Sequence, residues 1–234
     1  RRETTSLIAQ LSESNSMNGK LTATRQKTMY TITHELRTPL TAIHGYAELI
    51  RKSGTAEIQR HAGSVLQASK RMIAMLNSLL SFFRLENGKE RMNITPFRLQ
   101  SVADALEAES RPMAESKDLK LIVENSTDVI LMGDKERIMQ IGDNLLSNAI
   151  KYTQAGSVSF HSGYDGKTLA LIVEDTGSGM SEEEQQRVFG EFERLSNAAT
   201  QDGFGLGLSI VKRIVDMMHG KIRLESEKGR GSRF

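Results

Sequence analysis

The sequence predicts two domains of different class: an all-α helical hairpin that pairs with a second copy into a four-helix bundle, followed by an α+β two-layer sandwich. Three observations carry this expectation. Between Met29 and Phe83 the apolar residues recur in heptads, broken once at Ser53-Gly54. Beyond Asn87-Gly88 the pattern changes to short strand-like runs mixed with helical stretches and a hairpin signature. The length of 234 residues, 38% of them hydrophobic and 26% charged, suits one small soluble domain plus one of average size.

The helical part is read over residues 28–88. Met29, Leu36, Ile43 and Ile50 share one heptad core position; Ile32 and Tyr46 share the other, with Pro39 where a third would fall. After the Ser53-Gly54 turn a second heptad places Ile58, Val65, Met72 and Leu79 at one core position and Ala62, Ser69, Leu76 and Phe83 at the other. Two helices of about thirty residues with a short turn make an αα-hairpin. One hairpin leaves a long apolar stripe bare, so a homodimer is expected. Upstream, residues 1–27 form a connector. Ile8 and Leu11 keep the heptad register, but Asn15, Asn18, Thr22 and Arg25 then take the core positions. A polar seam weakens coiled-coil pairing; it is either a pliant relay or the frayed end of a fragment.

The boundary falls at residues 87–95, and the second domain runs over 95–234. Pro96 is expected to open a helix that reaches about Ser116. Strands follow at Leu121–Glu124 and Val129–Met132, then Gly133-Asp134 leads into a helix from Lys135 to Tyr152. Strands Ser157–Ser162 and Thr168–Asp175 flank a Gly163–Gly166 turn. A last helix is expected from about Leu208 to Met218 and a last strand near Lys221–Ser226. Such an order predicts an antiparallel or mixed sheet covered by helices on one face.

Composition excludes several classes. Cysteine is absent, so disulfides, thiolate nucleophiles and thiolate metal sites are ruled out. A net charge of +2 gives no electrostatic footprint for nucleic acid. The apolar runs fall well short of the roughly 20 residues that span a bilayer, and none reads as a signal peptide. Beginning at Arg1 and stopping at Phe234 just after a glycine-rich turn, the chain reads as an excised, non-membrane-spanning piece of a longer protein.

Continuing the first heptad puts His34 two places past Ile32, facing solvent, with Glu35 beside it and Thr38 one turn on along the same face. Pro39 removes a backbone donor and bends the helix there. Glu35 can accept from one ring nitrogen, fix the tautomer and leave the other lone pair free for attack. An exposed histidine alone is a surface residue, and His44 and His61 carry no more than that. His34 differs by its string, His34-Glu35-Leu36-Arg37-Thr38-Pro39-Leu40, continuing through Thr41-Ala42-Ile43 and Gly45-Tyr46. The string resembles the phosphoacceptor box of sensor histidine kinases.

Five further segments stand in the order of that family's ATP-binding domain, and the first four have a direct physical reading. On the helix Lys135–Tyr152, Asn144 and Asn148 lie four apart on one face, where amide oxygens can ligate Mg²⁺ and amide donors reach phosphate. Asp175-Thr176-Gly177-Ser178-Gly179-Met180 follows a strand; its glycines allow close backbone approach, and Asp175 can accept from an exocyclic amine. Val188-Phe189-Gly190-Glu191-Phe192-Glu193-Arg194 reads by itself as an amphipathic turn with two core phenylalanines. Gly203-Phe204-Gly205-Leu206-Gly207-Leu208-Ser209 precedes a helix whose free N–H groups suit an anion. Gly229-Arg230-Gly231-Ser232-Arg233-Phe234 closes the chain.

These segments resemble the family's asparagine box, first glycine box, phenylalanine box, second glycine box and third glycine box. Phe204 departs from the pattern, which usually has a smaller residue, and puts the packing of the lid in doubt. The resemblance implies a Bergerat-type ATP-binding fold with ATP and Mg²⁺ as cofactors. It implies a metal ligand at Asn144 or Asn148, Lys151 on a phosphate, Tyr152 against adenine and Asp175 on the adenine amino group. Gly177, Gly179, Gly203, Gly205, Leu206 and Gly207 would form the loops around the nucleotide. It further implies a homodimer that autophosphorylates His34, passes the phosphoryl group to an aspartate of a response-regulator receiver domain, and uses Thr38 for a phosphatase reaction. The setting implied is the cytoplasmic portion of a membrane-bound bacterial sensor. A conformational ATPase of the same nucleotide fold would leave the His34 string unexplained, and an inactive scaffold would leave the ligand residues unexplained.

Overall fold

The computed structural model describes residues 36–37, 40–52, 55–86, 91–191, 193 and 205–234. The chain divides into two units, Arg1–Lys89 and Glu90–Phe234. His34, Glu35, Thr38 and Gly203, the connector 1–27 and the Ser53-Gly54 turn lie outside the described residues.

In the first unit, helix α1 covers residues 40–52 and helix α2 covers Ala56–Glu86. The seam inside this hairpin is built from Leu40 and Ala47 on α1, seven apart, and from Ala62, Leu66, Ser69, Leu76 and Leu80 on α2. Spacings of three and four keep these α2 residues on one stripe. Hydrogen bonds cross the seam as well: the buried Ser69 hydroxyl donates to the Leu40 carbonyl at 3.0 Å, and the Arg37 guanidinium to Asn77 Oδ1 at 2.6 Å. The heptad positions divide between this seam and the stripe that one hairpin leaves bare. Of these positions, Ala62, Ser69 and Leu76 are buried, whereas Leu36, Ile43, Tyr46, Ile50, Ile58, Val65 and Met72 are exposed. The helices carry two neighbouring apolar stripes, and only one is used within the hairpin.

The second unit begins with a strand where a helix was expected. Strand β1, Thr95–Arg98, pairs antiparallel with β3, Ile130–Gly133, with Phe97 opposite Leu131. Pro96 is exposed on this two-stranded ribbon, a position a proline tolerates because an edge needs no donor. Helix α3 therefore starts only at Gln100 and runs to Glu115. Strand β2, Lys120–Asn125, pairs in parallel with β4, Ser157–Tyr164. Strand β5, Leu169–Asp175, β6, Glu225–Glu227, and β7, Gly231–Arg233, complete a mixed five-stranded sheet in the order β2-β4-β5-β7-β6. The strand expected near Lys221–Ser226 is confined to β6, because only from Glu225 onward does the chain find β7 as a partner.

Helix α4, Lys135–Tyr152, packs on α3 and on α6, Gly207–Met217. Its apolar face (Ile138, Ile141, Leu145, Leu146, Ala149 and Ile150) is buried, as are Val158 and Phe160 of β4 and Val173 of β5. Gly142 permits the α3–α4 contact, since a Cβ there would stand 2.5 Å from the Leu106 side chain. Buried Asp134 caps α4, one carboxylate oxygen accepting from the Arg137 N–H at 3.1 Å and the other from the Asn93 N–H at 2.9 Å. A short helix, α5, Glu182–Arg187, starts at a Ser181–Glu184 capping box. Among the described residues no helix is long and apolar enough to cross a membrane.

Asp143 on α4 faces Glu109 on α3, and burial beside that second carboxyl pushes its pKa up to about 6. A carboxyl whose folded pKa exceeds its unfolded one is destabilising once ionised. Stability is thus full below the unfolded pKa near 3.8 and falls as pH rises toward 6. Asp143→Asn should raise stability at pH 8 by about 1–2 kcal/mol, after allowance for its partial exposure, and change nothing at pH 3.5. Urea unfolding at the two pH values, in EDTA without nucleotide, checks this; an equal gain at both would remove the titration as the cause.

Candidate nucleotide site

Two glycine loops converge on the two ends of one face of α4, and the glycines make that convergence physically legible. At the upper end, Gly207 opens α6. A Cβ on it would lie 2.9 Å from Asn144 Oδ1 and 3.7 Å from Asn148 Nδ2. The Asn144 amide donates to the Gln140 carbonyl at 2.7 Å, which turns its Oδ1 toward the start of α6. Leu206, in the N-cap position, is buried and offers no side-chain cap, and the first N–H groups of a helix have no partner within it. Gly205 holds a left-handed φ of +70° just before it. The chemistry available here is amide oxygen plus helix N–H, a donor set matched to a phosphate chain with a hard cation.

At the lower end, β5 delivers Asp175. Its Oδ1 accepts from the Gly177 N–H at 2.8 Å. Burial raises the Asp175 pKa, and the Gly177 and Ser232 backbone N–H groups oppose that rise by favouring the carboxylate. A Cβ on Gly177 would meet the Tyr152 carbonyl at 2.7 Å, so the Asp175 loop lies directly against the last turn of α4. There the Lys151 ammonium sits 4.7 Å from the centre of the Tyr152 ring and 3.2 Å from its hydroxyl. In this arrangement Lys151 and Tyr152 form one pair.

Gly179, at φ +62°, crosses beneath the β6–β7 turn; a Cβ would stand 1.9 Å from the Glu227 carbonyl oxygen. Ser226 joins the same elements. Its hydroxyl accepts from the Met180 N–H at 2.9 Å and donates to the Gly231 carbonyl at 2.9 Å, while Gln185 on α5 donates to the Ser226 carbonyl at 2.9 Å. No sequence signal marks Ser226, because its importance arises only when β6 is folded beside the Asp175 loop. The segment Val188–Gly190 is a turn after α5, and Phe189 is half-buried, edge-on to Phe234 at 6.3 Å, so it is not a core residue. Phe192 and residues 194–204 are outside the described residues.

Asn144, Asn148, Lys151, Tyr152, Asp175, Gly177, Gly205, Leu206 and Gly207 are therefore gathered along α4 and the loops that touch it. Among the described residues no group of three or more His, Asp or Glu side chains is placed to cage a metal. The two asparagines fit a Mg²⁺ ion that keeps most of its ligands from phosphate and water.

Residues 24–88 match the His Kinase A (phospho-acceptor) domain family, and residues 133–234 match the family of histidine kinase-, DNA gyrase B-, and HSP90-like ATPases. The chain is 36% identical over 214 residues to the autoinducer 2 sensor kinase/phosphatase LuxQ of Vibrio parahaemolyticus, covering 87% of this chain and 25% of LuxQ. It is 33% identical over 219 residues to the sensor histidine kinase RcsC of Escherichia coli, covering 91% of this chain and 23% of RcsC. It thus spans about a quarter of the length of these curated relatives. A crystal structure of full-length ShkA in complex with AMPPNP superposes with a TM-score of 0.76 at 28% identity, over 89% of this chain and 44% of ShkA. With a phospho-acceptor domain ahead of an ATPase domain of this fold and these relatives along its length, the chain belongs to the sensor histidine kinases, of which it forms a catalytic core.

Proposed function

We propose that the chain binds Mg-ATP along α4, transfers the γ-phosphoryl group to His34, and hands it on to an aspartate of a response-regulator receiver domain. The observation that carries this reading is the convergence of the Asp175 loop and the start of α6 on the two ends of the asparagine face. Asp175 would accept from the adenine amino group, with Tyr152 against the ring. The open N–H groups of α6 and the glycines Gly205 and Gly207 would hold the tail phosphates. Asn144 and Asn148 would hold Mg²⁺, which neutralises phosphate charge.

In the transfer a lone pair on the His34 imidazole attacks phosphorus, the bond from the γ-phosphorus to the bridging oxygen breaks, and ADP leaves. Glu35 accepts from the other ring nitrogen and stabilises the positive charge that develops on the ring. Positioning and electrostatics account for most of the rate. The exposed stripe of Ile43, Ile50, Ile58, Val65 and Met72 supports a homodimer, since a second hairpin would bury it at about 25 cal/mol per Å². Removal of the phosphoryl group from the receiver, with Thr38 orienting water, is the second activity we assign; the name of LuxQ as a kinase/phosphatase agrees with it. The parent protein would carry this core on the cytoplasmic side of a membrane.

Incubation with γ-labelled ATP and Mg²⁺ beside a His34→Gln variant tests the reading. Acid-labile, alkali-stable label on the wild type and none on the variant is expected. Bound nucleotide without label would favour a conformational ATPase instead.

A further inference from the structure

The chain reverses direction after α3 at Asp118, which takes a left-handed φ of +56°. The Asp118 and Leu119 N–H groups close that helix end on the Glu115 and Ala114 carbonyls, each at 3.0 Å. The reversal points the Lys117 side chain at the far end of α4. Its ammonium donates to the carbonyl oxygens of Ile150 at 2.8 Å, Lys151 at 2.8 Å and Thr153 at 3.1 Å. An ammonium has three N–H donors, so all of them serve this one helix end. The neighbouring Ala149 carbonyl is taken by the Thr153 backbone N–H at 3.1 Å and hydroxyl at 2.7 Å. On its other side the same turn rests against Gly177 through the Tyr152 carbonyl.

The last carbonyls of a helix have no partner within it and carry its partial negative charge. Here they stand beside the loop read as the adenine loop, so left without a partner they would let the turn that carries Tyr152 shift against Gly177. We propose that Lys117 is a positioning residue of the nucleotide site. It fixes the last turn of α4, so that Lys151 and Tyr152 are presented to the Asp175 loop, and it offsets the negative end of α4. The inference rests on the nucleotide-site reading above.

Titration calorimetry of Mg-ADP into the 234-residue chain tests it, comparing wild type, Lys117→Met and Val102→Ala. Val102 is fully buried in α3, and its truncation supplies a destabilised domain with Lys117 intact. Lys117→Met is expected to weaken Mg-ADP binding about 10-fold, with autophosphorylation kcat at saturating ATP held within about 3-fold. Val102→Ala should lower Tm and leave the Kd unchanged, and Lys117→Arg, which keeps a cation and its donors, should recover part of the affinity. Should Lys117→Met fail to fold, Lys117→Gln is read in the same titration. Wild-type affinity in the Lys117 variant overturns the inference alone, as does an equal loss in Val102→Ala. A wild-type chain that binds no Mg-ADP overturns the nucleotide site itself.

Discussion

Gly231→Ala is expected to lower the stability of the ATP-binding domain by about 3–5 kcal/mol, or roughly 10 °C in Tm. Gly231 holds φ +98°, where an L side chain is strained, and a Cβ there would stand 1.8 Å from the Asp175 carbonyl oxygen and 2.9 Å from the Thr176 Cα. Both neighbours are backbone, so no rotamer change relieves the clash. β7 would have to leave β5, breaking the pairs Glu174 with Arg233 and Asp175 with Ser232. Gly229 separates the two costs. It also has a positive φ, +82°, yet a Cβ there meets nothing within 4 Å, so Gly229→Ala carries conformational strain alone, about 1 kcal/mol. Thermal unfolding of both variants reads the difference. Equal melting temperatures would mean that β7 does not cross Asp175 as closely as described.

The second large effect concerns affinity. Asp175→Asn should weaken ATP binding about 100-fold, because a site that accepts from an amine and is given a donor instead leaves polar groups unpaired. One Asp175 oxygen is held by Gly177, so the carboxamide cannot turn without giving up that bond. The same variant should lose its preference for ATP over inosine triphosphate, which has a carbonyl in place of the amine. Competition binding of the two nucleotides measures both quantities, and a variant that still prefers ATP would remove Asp175 from base recognition. Since burial raises the Asp175 pKa, wild-type ATP affinity should also fall as the buffer is acidified through that raised value.

The glycine and asparagine segments were legible in sequence because their chemistry is local: backbone that must come close, amides that must share a helix face. What supports them was not. Lys117 reads as one more surface lysine until β2 and the end of α4 are brought together, and Ser226 has no local signature. In the hairpin the heptads located both helices, but Leu40 and Ala47 take the inner seam while Ile43 and Ile50 face outward. Two adjacent apolar stripes differ only in which partner covers them, which is a property of three dimensions. Pro96 misled for a related reason. Proline suits the first turn of a helix and equally an exposed edge strand, and the choice is made by Met132, which pairs with it from 36 positions further on.

The place of β7 in the sheet has a consequence for how the protein is made. The strand that braces Asp175 is contributed by the last residues described, with Arg233 and its partner Glu174 lying 59 positions apart. A ribosome adding about 5–20 residues per second therefore leaves that flank of the Asp175 loop open for roughly 3–12 s after Asp175 has been added to the chain. During that interval both helices of the hairpin, residues 40–52 and Ala56–Glu86, have already been added to the chain while β5 still lacks β7 as its neighbour.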